Sequence, residues 1–378
     1  MSINEIVTPC LLLDRAAMRS NIRRMSEHIG GLGGVLRPHV KTCKSIDVLN
    51  EIVAGGNTRG ITVSTLGEAD YFLKNGITDI TYAVGIAPNK FGPVADLSAR
   101  GADLRIILDS CEMAERLATY AALKGYHYRV LIELDTDGHR SGVDPRGDEL
   151  LRIGRCLHES AKIELVGVLT HAGESYACRS QEALVAMARQ ERDRSVAAAE
   201  RLRADGLPCP VVSIGSTPTA LAVDDLAGIT EVRPGVYVFF DLVMAGLGVC
   251  SLDDIAVSVL ASVTGFQADR DWAIIDAGWM AMSRDRGTQS QEIDYGYGLI
   301  ADRHGAPIAD LVIGDANQEH GIVRSRQGAT SPLSVMNLGD LVRVLPNHAC
   351  ATAAQFDHYV VVAADGTVCG RWDRTGGW

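Results

Sequence analysis

Three basic side chains, Arg37, His39 and Lys41, alternate with Pro38 and Val40 early in the sequence. An extended segment places every second side chain on one face, so this spacing predicts that the three basic groups point to the same side. Gathering them in an apolar interior is costly unless a ligand compensates their charge. We therefore expect this face to bind an anionic ligand.

The lysine at the end of this run is the candidate nucleophile. A lysine amine that lies away from water and beside other cations is the arrangement used by lysines that form Schiff bases with carbonyl compounds. Lys41 fits this pattern. Lys44, three residues later, is the alternative, and we expect it to be a solvated residue of the following helix.

Arg140, His171 and Tyr176 follow two further β-rich runs. Arg140 lies in the turn-rich sequence DTDGHRSG, which could bring its side chain back to the mouth of a barrel. His171 stands where a predicted strand ends, and Tyr176 comes shortly after it. The sequence leaves two interpretations of His171 equally open, a packed barrel histidine and a catalytic one.

The sequence GSTPT combines a glycine turn with hydroxyl residues at the start of a predicted helix. The backbone N–H groups and the dipole at such a helix start favour an anion. Phosphate often binds (β/α)₈ barrels at the loops after strands seven and eight. We therefore predict a phosphate site at Gly215, Ser216 and Thr217.

His348 and Cys350 are separated by one residue in the sequence PNHAC. On an extended segment both side chains would project to the same side, where they could share a metal ion. An imidazole and a thiolate favour zinc over magnesium or calcium, and two protein ligands leave coordination positions open, as a catalytic metal requires. A buried cysteine beside a surface histidine is the equally open alternative.

Eight β-rich runs alternate with helical patterns between Gly34 and about Asp241. Eight β–α units are typical of a TIM-type (β/α)₈ barrel of parallel strands, whose active site lies at the carboxyl ends of the strands. The GSTPT motif follows the seventh run. The runs begin at Val35, Ile61, Ile80, Leu104, Tyr128, Leu165, Val211 and Glu231.

After Asp241 the helical periodicity fades and β-rich runs follow one another, with Asp365-Gly366 as a strong hairpin signal. A further strand is expected near Cys10–Leu13. The sequence therefore predicts a barrel over residues 14–245 and a β domain that combines residues 1–13 with 246–378.

The composition restricts the classes of function. The net charge of −11 would repel a nucleic-acid backbone, and no stripe of Lys and Arg offsets it. No apolar run approaches the length that crosses a bilayer, and the first residues carry no secretory signal. Nine cysteines without a CxxC pair favour reduced thiols. We expect a cytoplasmic protein without nucleic-acid or membrane partners.

Eight short motifs occur along the chain in this order: RPHVKT, DTDGHRSGV, THAG, GSTPT, GVYVFFD, DAGW, QEHG and PNHACAT. In these motifs the chain resembles the D-serine dehydratase-like group of pyridoxal-phosphate enzymes, which is related to the D-threonine aldolases and more distantly to alanine racemase. The resemblance spans nearly the whole sequence. It implies the alanine-racemase-like fold, known as fold type III of these enzymes, with a barrel and a C-terminal β domain.

The resemblance also implies roles for individual residues. Lys41 would bind pyridoxal 5′-phosphate covalently, and His171 would stack on or beside its pyridine ring. His348 and Cys350 would hold zinc or another divalent metal such as Mn²⁺. The remaining candidates for cofactor binding are His39, Arg140, Tyr176, Gly215, Ser216, Thr217 and Tyr237.

The activity that the resemblance implies is metal-assisted dehydration of a small D-3-hydroxy amino acid, D-threo-3-hydroxyaspartate or D-serine, to a 2-oxo acid and ammonia. Aldolases of the group typically carry His-x-Asp where this chain has His-x-Cys, so Cys350 favours dehydration. Three alternatives stay open: an aldolase that yields glycine and an aldehyde, a non-catalytic pyridoxal-phosphate protein, and a barrel with a structural zinc. The resemblance further implies a homodimer.

Overall fold

The computed structural model describes residues 3–363 and 365–378. These residues form two compact units. The barrel unit consists of Arg24–Lys41 and Gly55–Gly235 together with the last two residues. The sheet unit consists of the segment up to Arg23 together with Thr42–Ala54 and Val236–Gly376.

One strand and two helices come before the parallel strands: β1 (Cys10–Asp14), α1 (Arg15–Gly31) and α2 (Ile46–Ala54). Asp14 fixes the start of α1, because its carboxylate accepts the backbone N–H groups of Ala16 and Ala17, each at 2.9 Å. Such capping satisfies donors that have no partner inside the helix.

Seven parallel strands form the sheet of the barrel unit, and each pairs with the next in chain order. Most of their residues are buried, as expected for strands covered on both faces. The elements are β2 (Ile61–Val63), α3 (Leu66–Lys74), β3 (Asp79–Gly85), α4 (Phe91–Ala99), β4 (Asp103–Leu108), α5 (Cys111–Lys124), β5 (Tyr128–Leu134), α6 (Asp148–Glu159), β6 (Ile163–Thr170), α7 (Gln181–Ala204), β7 (Val211–Ile214), α8 (Thr217–Ala222) and β8 (Glu231–Val232).

The first predicted run, VLRPHVK, lies between β2 and β8. Leu36 bridges to Thr58, just before β2, and to Val232 in β8, so the run joins the two ends of the sheet. It forms isolated bridges rather than a regular strand, because Pro38 has no N–H group to contribute to a ladder. The predicted (β/α)₈ barrel is therefore confirmed, with an irregular first strand.

Nine strands form the sheet of the other unit, and six of them close into an antiparallel barrel, because β9 pairs with both β10 and β14. β1 lies between β9 and β15. The elements are α9 (Leu242–Gly246), β9 (Val257–Gln267), β10 (Trp272–Ile275), α10 (Trp279–Met282), β11 (Leu299–Asp302), β12 (Pro307–Ala316), β13 (Gly321–Ser325), α11 (Pro332–Val335), β14 (Leu341–Leu345), α12 (Ala349–Ala353), β15 (His358–Val362) and β16 (Val368–Asp373).

The β domain predicted after Asp241 is confirmed. The strand near Cys10–Leu13 is β1, and Asp365-Gly366 lies between β15 and β16, which pair antiparallel. The sequence predicts five runs after Asp241, IAVSVLASV, WAIIDAG, ADLVI, DLVRVLP and YVVVAADGTVCGRW, which overlap β9, β10, β12, β14 and the last two strands. β11 and β13 were not predicted. They contain four and five residues, too few for a two-residue alternation to stand out from the surrounding sequence.

Arg37 is completely buried and paired with two carboxylates. Its Nε donates to Glu231 Oε2 at 2.6 Å, and its Nη1 and Nη2 donate to Asp79 at 2.8 and 3.0 Å. Side chains of this chain therefore compensate its charge. The prediction that Arg37 shares a ligand-compensated face with His39 and Lys41 is wrong, because alternation along a strand does not reveal which partners lie across the barrel.

None of the helices in the described residues combines the length and apolar character needed to span a membrane. None of the nine cysteines, all of which lie in the described residues, forms a disulfide. Burial raises the pKa of Cys10 to about 12 and that of Cys209 to about 11, so both thiols stay protonated at neutral pH. These two cysteines pack as small apolar residues.

Candidate functional site

A cavity of about 270 Å³ lies at the carboxyl ends of the parallel strands. Lys41 stands at the end of the first run, His171 follows β6, Gly215 follows β7 and Arg233 follows β8. This is the end at which (β/α)₈ barrels bind their ligands. The other residues that line the cavity are His39, Ser64, Ala83, Val84, Gly85, Glu133, Arg140, Ser141 and Leu169.

Lys41 and His39 are neighbours in this lining. Lys41 is exposed, so the prediction that it lies away from water is wrong, because the run ends at the open mouth of the cavity. Its backbone N–H lies 3.5 Å from His39 Nδ1. Burial lowers the pKa of His39 well below its usual range, and the charges of Lys41 and Arg233 act in the same direction. A neutral imidazole therefore lies beside the lysine.

Lys44, the alternative lysine, belongs to the sheet unit. Its backbone is left-handed, with φ of 47°, and α2 begins only at Ile46. The prediction that Lys44 is a helix residue is wrong, because a left-handed residue cannot continue a right-handed helix.

His171 is held by the turn that follows β7. Its Nδ1 lies 3.1 Å from the backbone oxygen of Gly215, so Nδ1 carries the proton and donates. Burial lowers the pKa of His171 to about 3, and the charges of Lys41 and Arg140 act in the same direction. The ring is therefore neutral at physiological pH. The ring of Tyr176 lies 6.5 Å away, centroid to centroid.

The loop DTDGHRSG returns Arg140 to the cavity lining. Gly142 has φ of 110° and donates its N–H to Asp109 at 3.0 Å. A Cβ at Gly142 would lie 2.4 Å from the carbonyl carbon of Leu134, so this tight return requires glycine. The close approach of the loop to β5 thus places Arg140 beside the strand ends.

Gly215, Ser216 and Thr217 form the turn into α8. Ser216 is the N-cap, and its hydroxyl accepts the N–H of Thr219 at 3.3 Å. The N–H of Gly215 donates to Glu191 at 3.0 Å, and that of Ser216 donates to Thr219 Oγ1 at 3.1 Å. Two of the three N–H groups expected to bind phosphate therefore have partners within the chain, which leaves that of Thr217 available among the described residues.

Sequence reasoning missed two charged residues of the cavity, Arg233 and Glu133. Arg233 is buried and donates to Ser213 Oγ at 2.7 Å and to the carbonyl oxygen of Thr170. Burial lowers the pKa of Arg233 to about 10, and burial raises the pKa of Glu133. Glu133 stands near the end of a predicted strand, which is the signal that selected His171, whereas Arg233 is the third residue of the run that begins at Glu231 and follows a strand end only in the structure.

His348 and Cys350 lie at the start of α12 in the sheet unit. His348 is the N-cap with an extended backbone, whereas Cys350 is the second helical residue. The prediction that both lie on an extended segment is wrong, because the chain turns into a helix between them. Their side chains still interact: burial would lower the pKa of His348, but Cys350 and Asp285 raise it to about 11.

The surroundings of this pair fit a metal site. His348 Nδ1 lies 2.7 Å from Asp285 Oδ2, so Nε2 is the ring nitrogen that remains for the interaction with Cys350 and, after loss of its proton, for an ion. Metal-binding histidines commonly donate their other N–H group to a carboxylate in this way. In the part of the chain that the structure describes, no group of three or more His, Cys, Asp and Glu residues is arranged around a common point.

Tyr237 belongs to the sheet unit and is completely buried. Its hydroxyl has no hydrogen-bond partner among residues 3–363 and 365–378. Burial raises the pKa of this hydroxyl, so it remains a donor at any physiological pH. Buried polar groups are nearly always paired, and a polar group of a ligand would satisfy this one.

Two family models match the chain. Residues 13–243 match "Alanine racemase, N-terminal domain", and residues 256–362 match "Putative serine dehydratase domain". The D-threo-3-hydroxyaspartate dehydratase of Delftia sp. (strain HT23) is 53% identical over 374 residues, which are 98% of each chain. The D-serine dehydratase of Dictyostelium discoideum is 30% identical over 394 residues, covering 100% of this chain and 98% of that one.

Solved structures agree with these relatives. The D-threo-3-hydroxyaspartate dehydratase from Delftia sp. HT23 superposes with a TM-score of 0.97 at 52% identity, over 100% of both chains. Two variants of this enzyme, one at a histidine and one at a cysteine two residues later, also reach a TM-score of 0.97, and the cysteine variant is in a metal-free form. With a relative 53% identical over nearly the full length of both proteins, this chain belongs to the D-serine dehydratase-like and D-threonine aldolase family of the alanine-racemase-like fold.

Proposed function

We propose that this protein is a dehydratase, an ammonia-lyase dependent on pyridoxal phosphate and a divalent metal. It converts a small D-3-hydroxy amino acid, D-threo-3-hydroxyaspartate or D-serine, to a 2-oxo acid and ammonia. One observation carries the proposal: Lys41, two neutral histidines and the arginines 140 and 233 share a cavity in a chain whose full length matches dehydratases.

Pyridoxal phosphate, when bound, supplies an electron sink for the charge that develops on the α-carbon of the substrate. Lys41 would carry the cofactor and then take up the α-proton, because it is the amine in the cavity lining. His171 would lie against the pyridine ring in the orientation that Gly215 fixes. Being neutral, His39 and His171 would add no positive charge beside Lys41.

The cofactor's polar groups would meet the hydroxyl and N–H groups of the α8 turn. Thr217 would offer its N–H group and Ser216 its hydroxyl group, next to Gly215, which lines the cavity. Arg140 supplies positive charge at the same lining, and Tyr176 pairs with His171. We assign the buried, unpaired hydroxyl of Tyr237 to the same task. The barrel of residues 14–245 would thus bind the cofactor.

A divalent metal, zinc or Mn²⁺, supplies a Lewis acid that helps the β-hydroxyl group of the substrate to leave. His348 and Cys350 would hold the metal in the domain of residues 1–13 and 246–378. Asp285 would accept the Nδ1–H, so that Nε2 becomes the ligand atom once its own proton is lost on metal binding. The name of a related structure, a cysteine variant in a metal-free form, indicates that the related enzyme can bind a metal.

We infer that a dicarboxylate substrate is preferred over D-serine. Arg37 contributes nothing to this preference, because Asp79 and Glu231 already compensate it. Arg140 and Arg233 provide the positive charge of the cavity lining. A second carboxylate on the substrate would find more charge-assisted hydrogen bonds there than a hydroxymethyl group would.

The aldolase alternative is less well supported, since both relatives described above are dehydratases and position 350 is cysteine. A non-catalytic pyridoxal-phosphate protein would not need the His348–Asp285 arrangement beside Cys350. We also propose a homodimer, which rests on the family resemblance alone.

A product assay tests the proposed function. Protein loaded with pyridoxal phosphate and zinc should convert D-threo-3-hydroxyaspartate to oxaloacetate and D-serine to pyruvate, each with an equal amount of ammonia. A chelator should stop turnover without removing the visible absorption of the cofactor. Added zinc should then restore turnover. Glycine and an aldehyde as the main products would replace dehydration by aldol cleavage. Consumption of neither substrate by the coloured protein would favour the non-catalytic alternative.

A further inference from the structure

We propose that Glu191 is a positioning residue, whose carboxyl group ties the segment after β6 to the turn after β7 and thereby sets His171 against the cavity. The inference rests on the proposed function, in which this cavity binds pyridoxal phosphate. It adds a residue from the outer helix layer to a site otherwise formed by strand ends.

Glu191 lies near the middle of α7 and is 1% exposed. Its Oε1 accepts two backbone N–H groups, that of Ala172 at 3.1 Å and that of Gly215 at 3.0 Å. These peptides belong to different β–α loops, at positions 172 and 215, and are thus 43 residues apart in the sequence. A single oxygen therefore joins two loops that the chain itself does not hold together.

Both peptides adjoin the candidate site. Ala172 directly follows His171, and Gly215 lines the cavity. His171 Nδ1 in turn donates to the carbonyl oxygen of Gly215 at 3.1 Å. Both polar ends of the Gly215 residue are thus engaged, its N–H with Glu191 and its carbonyl with His171. The imidazole can keep its position and tautomer only while this turn stays in place.

Packing alone does not explain an acidic residue at position 191. The other buried residues of α7 are small or aliphatic: Leu184, Ala188, Ser195, Ala198, Ala199 and Leu202. An unpaired buried carboxyl group is expensive, and burial raises the pKa of Glu191. The nearby Thr219 hydroxyl, the Gly215 N–H and Arg233 act on this pKa in the opposite direction. A leucine would fill the position at lower cost if the two N–H groups needed no acceptor.

The surroundings of Glu191 leave little room for water while its side chain is in place. The space beside Glu191, bounded by Ala188, Thr219 and Val223, is too small for a water molecule. Oε2 has no hydrogen-bond partner within the described residues, and the Thr219 hydroxyl next to it is engaged with Ser216. Loss of Oε1 would therefore leave two buried N–H groups without any acceptor.

The test compares Glu191→Gln, which keeps an acceptor oxygen, with Glu191→Leu, which removes it. Glu200→Gln is the matched control, since Glu200 is exposed on the same helix. Cofactor-free protein is titrated with pyridoxal phosphate well below the unfolding temperature of every variant. Glu191→Leu should raise the dissociation constant about tenfold or more and move the visible absorption maximum, since two buried donors lose their acceptor. Glu191→Gln and Glu200→Gln should bind as the wild type does.

A Glu191→Leu protein that binds like the wild type overturns the inference, as does a Glu191→Gln protein that is as weak as Glu191→Leu. Hydrogen exchange of the wild type gives a second readout that needs neither cofactor nor variants. The amides of Ala172 and Gly215 should exchange slowly, and fast exchange of both would also overturn the inference. Absence of pyridoxal-phosphate binding to the wild type would instead contradict the proposed function, and slow exchange would then still support the tie through Glu191.

Discussion

The barrel unit holds two clusters of basic residues that differ in what compensates them. In the first, Arg37 and Arg105 lie against Asp79, with hydrogen bonds of 2.8 and 3.0 Å. In the second, the cavity lining holds Lys41 and two arginines, and Glu133 is its one acidic residue among the described residues. Arg37 and Lys41 stand four positions apart in the same run, so residue type and spacing do not separate them. The two residues differ in the partners that lie opposite them across the barrel.

A chain of hydrogen bonds joins the two clusters. Arg37 donates to one oxygen of Glu231 at 2.6 Å, Ser213 donates to the other at 2.6 Å, and Arg233 donates to Ser213 at 2.7 Å. The carboxylates are concentrated at the Arg37 end of this chain, and the cavity end keeps the excess positive charge. A buried charge compensated within the protein serves stability, whereas one left uncompensated at a cavity favours an anionic ligand.

The largest expected effect is that of Lys41→Ala. Activity should fall at least about 10³-fold, because the variant loses both the attachment point and the base. The visible absorption band, which borohydride should abolish in the wild type, should be missing. The free energy of unfolding of the cofactor-free protein should change by less than about 0.5 kcal/mol, since the side chain is exposed.

Lys44→Ala is the control for this experiment and should keep both the band and the activity. If Lys44→Ala lost the band and Lys41→Ala kept it, the assignment of the two lysines would be reversed. A wild-type protein without any such band, after incubation with pyridoxal phosphate, would remove the cofactor from the proposal altogether.

The next effect concerns the other cluster. Arg37→Met should lower the free energy of unfolding of the cofactor-free protein by at most about 3–5 kcal/mol, since the buried Glu231 and the half-buried Asp79 are left with Arg105 as a cationic partner. Urea unfolding followed by circular dichroism measures this loss. Arg23→Met, at an exposed position of α1, should change stability by less than about 0.5 kcal/mol. A stable Arg37→Met protein that no longer binds pyridoxal phosphate would assign Arg37 to the cavity cluster. This result would contradict the distinction between the two clusters.

The smallest effect is a pH dependence that comes from the cavity cluster. The pKa of His171 is about 3 in the folded protein, because of burial and the nearby cations, whereas an unfolded histidine takes up a proton near pH 6.5. As the pH falls from about 6.5 towards about 3, His171 binds a proton in the unfolded state but not in the folded state. His171 therefore makes the native protein less stable in this pH range.

The variant His171→Gln removes this contribution. The difference in unfolding free energy between His171→Gln and the wild type, both cofactor-free, should shift in favour of the variant as the pH falls from about 7 to about 4. His158→Gln, at an exposed histidine of α6, should show no such shift. A constant difference for His171→Gln across this range would mean that the imidazole is protonated as readily in the folded state as in the unfolded one.

Much of the fold follows from local pattern. The alternation of β-rich runs with helical periods led to the (β/α)₈ barrel, and Asp365-Gly366 led to the final hairpin. The irregular first strand was not expected. Pro38 cannot donate a hydrogen bond to a neighbouring strand, and how far this disrupts the pairing depends on strands that are far away in the sequence. Arg233 and Glu133 were overlooked, because a single charged residue in a β-rich run does not show whether it faces a carboxylate or a cavity.

The sequence by itself determined the order of the elements, the residues that stand at strand ends and the motifs that carry the family resemblance. These are local properties, set by residue type and by spacings of a few positions. Only the tertiary structure decided that Arg37 is paired while Arg140 lines a cavity, and that Glu191 accepts N–H groups from two loops. The physical reason is that charge compensation and hydrogen bonding act through space, between atoms whose separation along the chain carries no information about their distance.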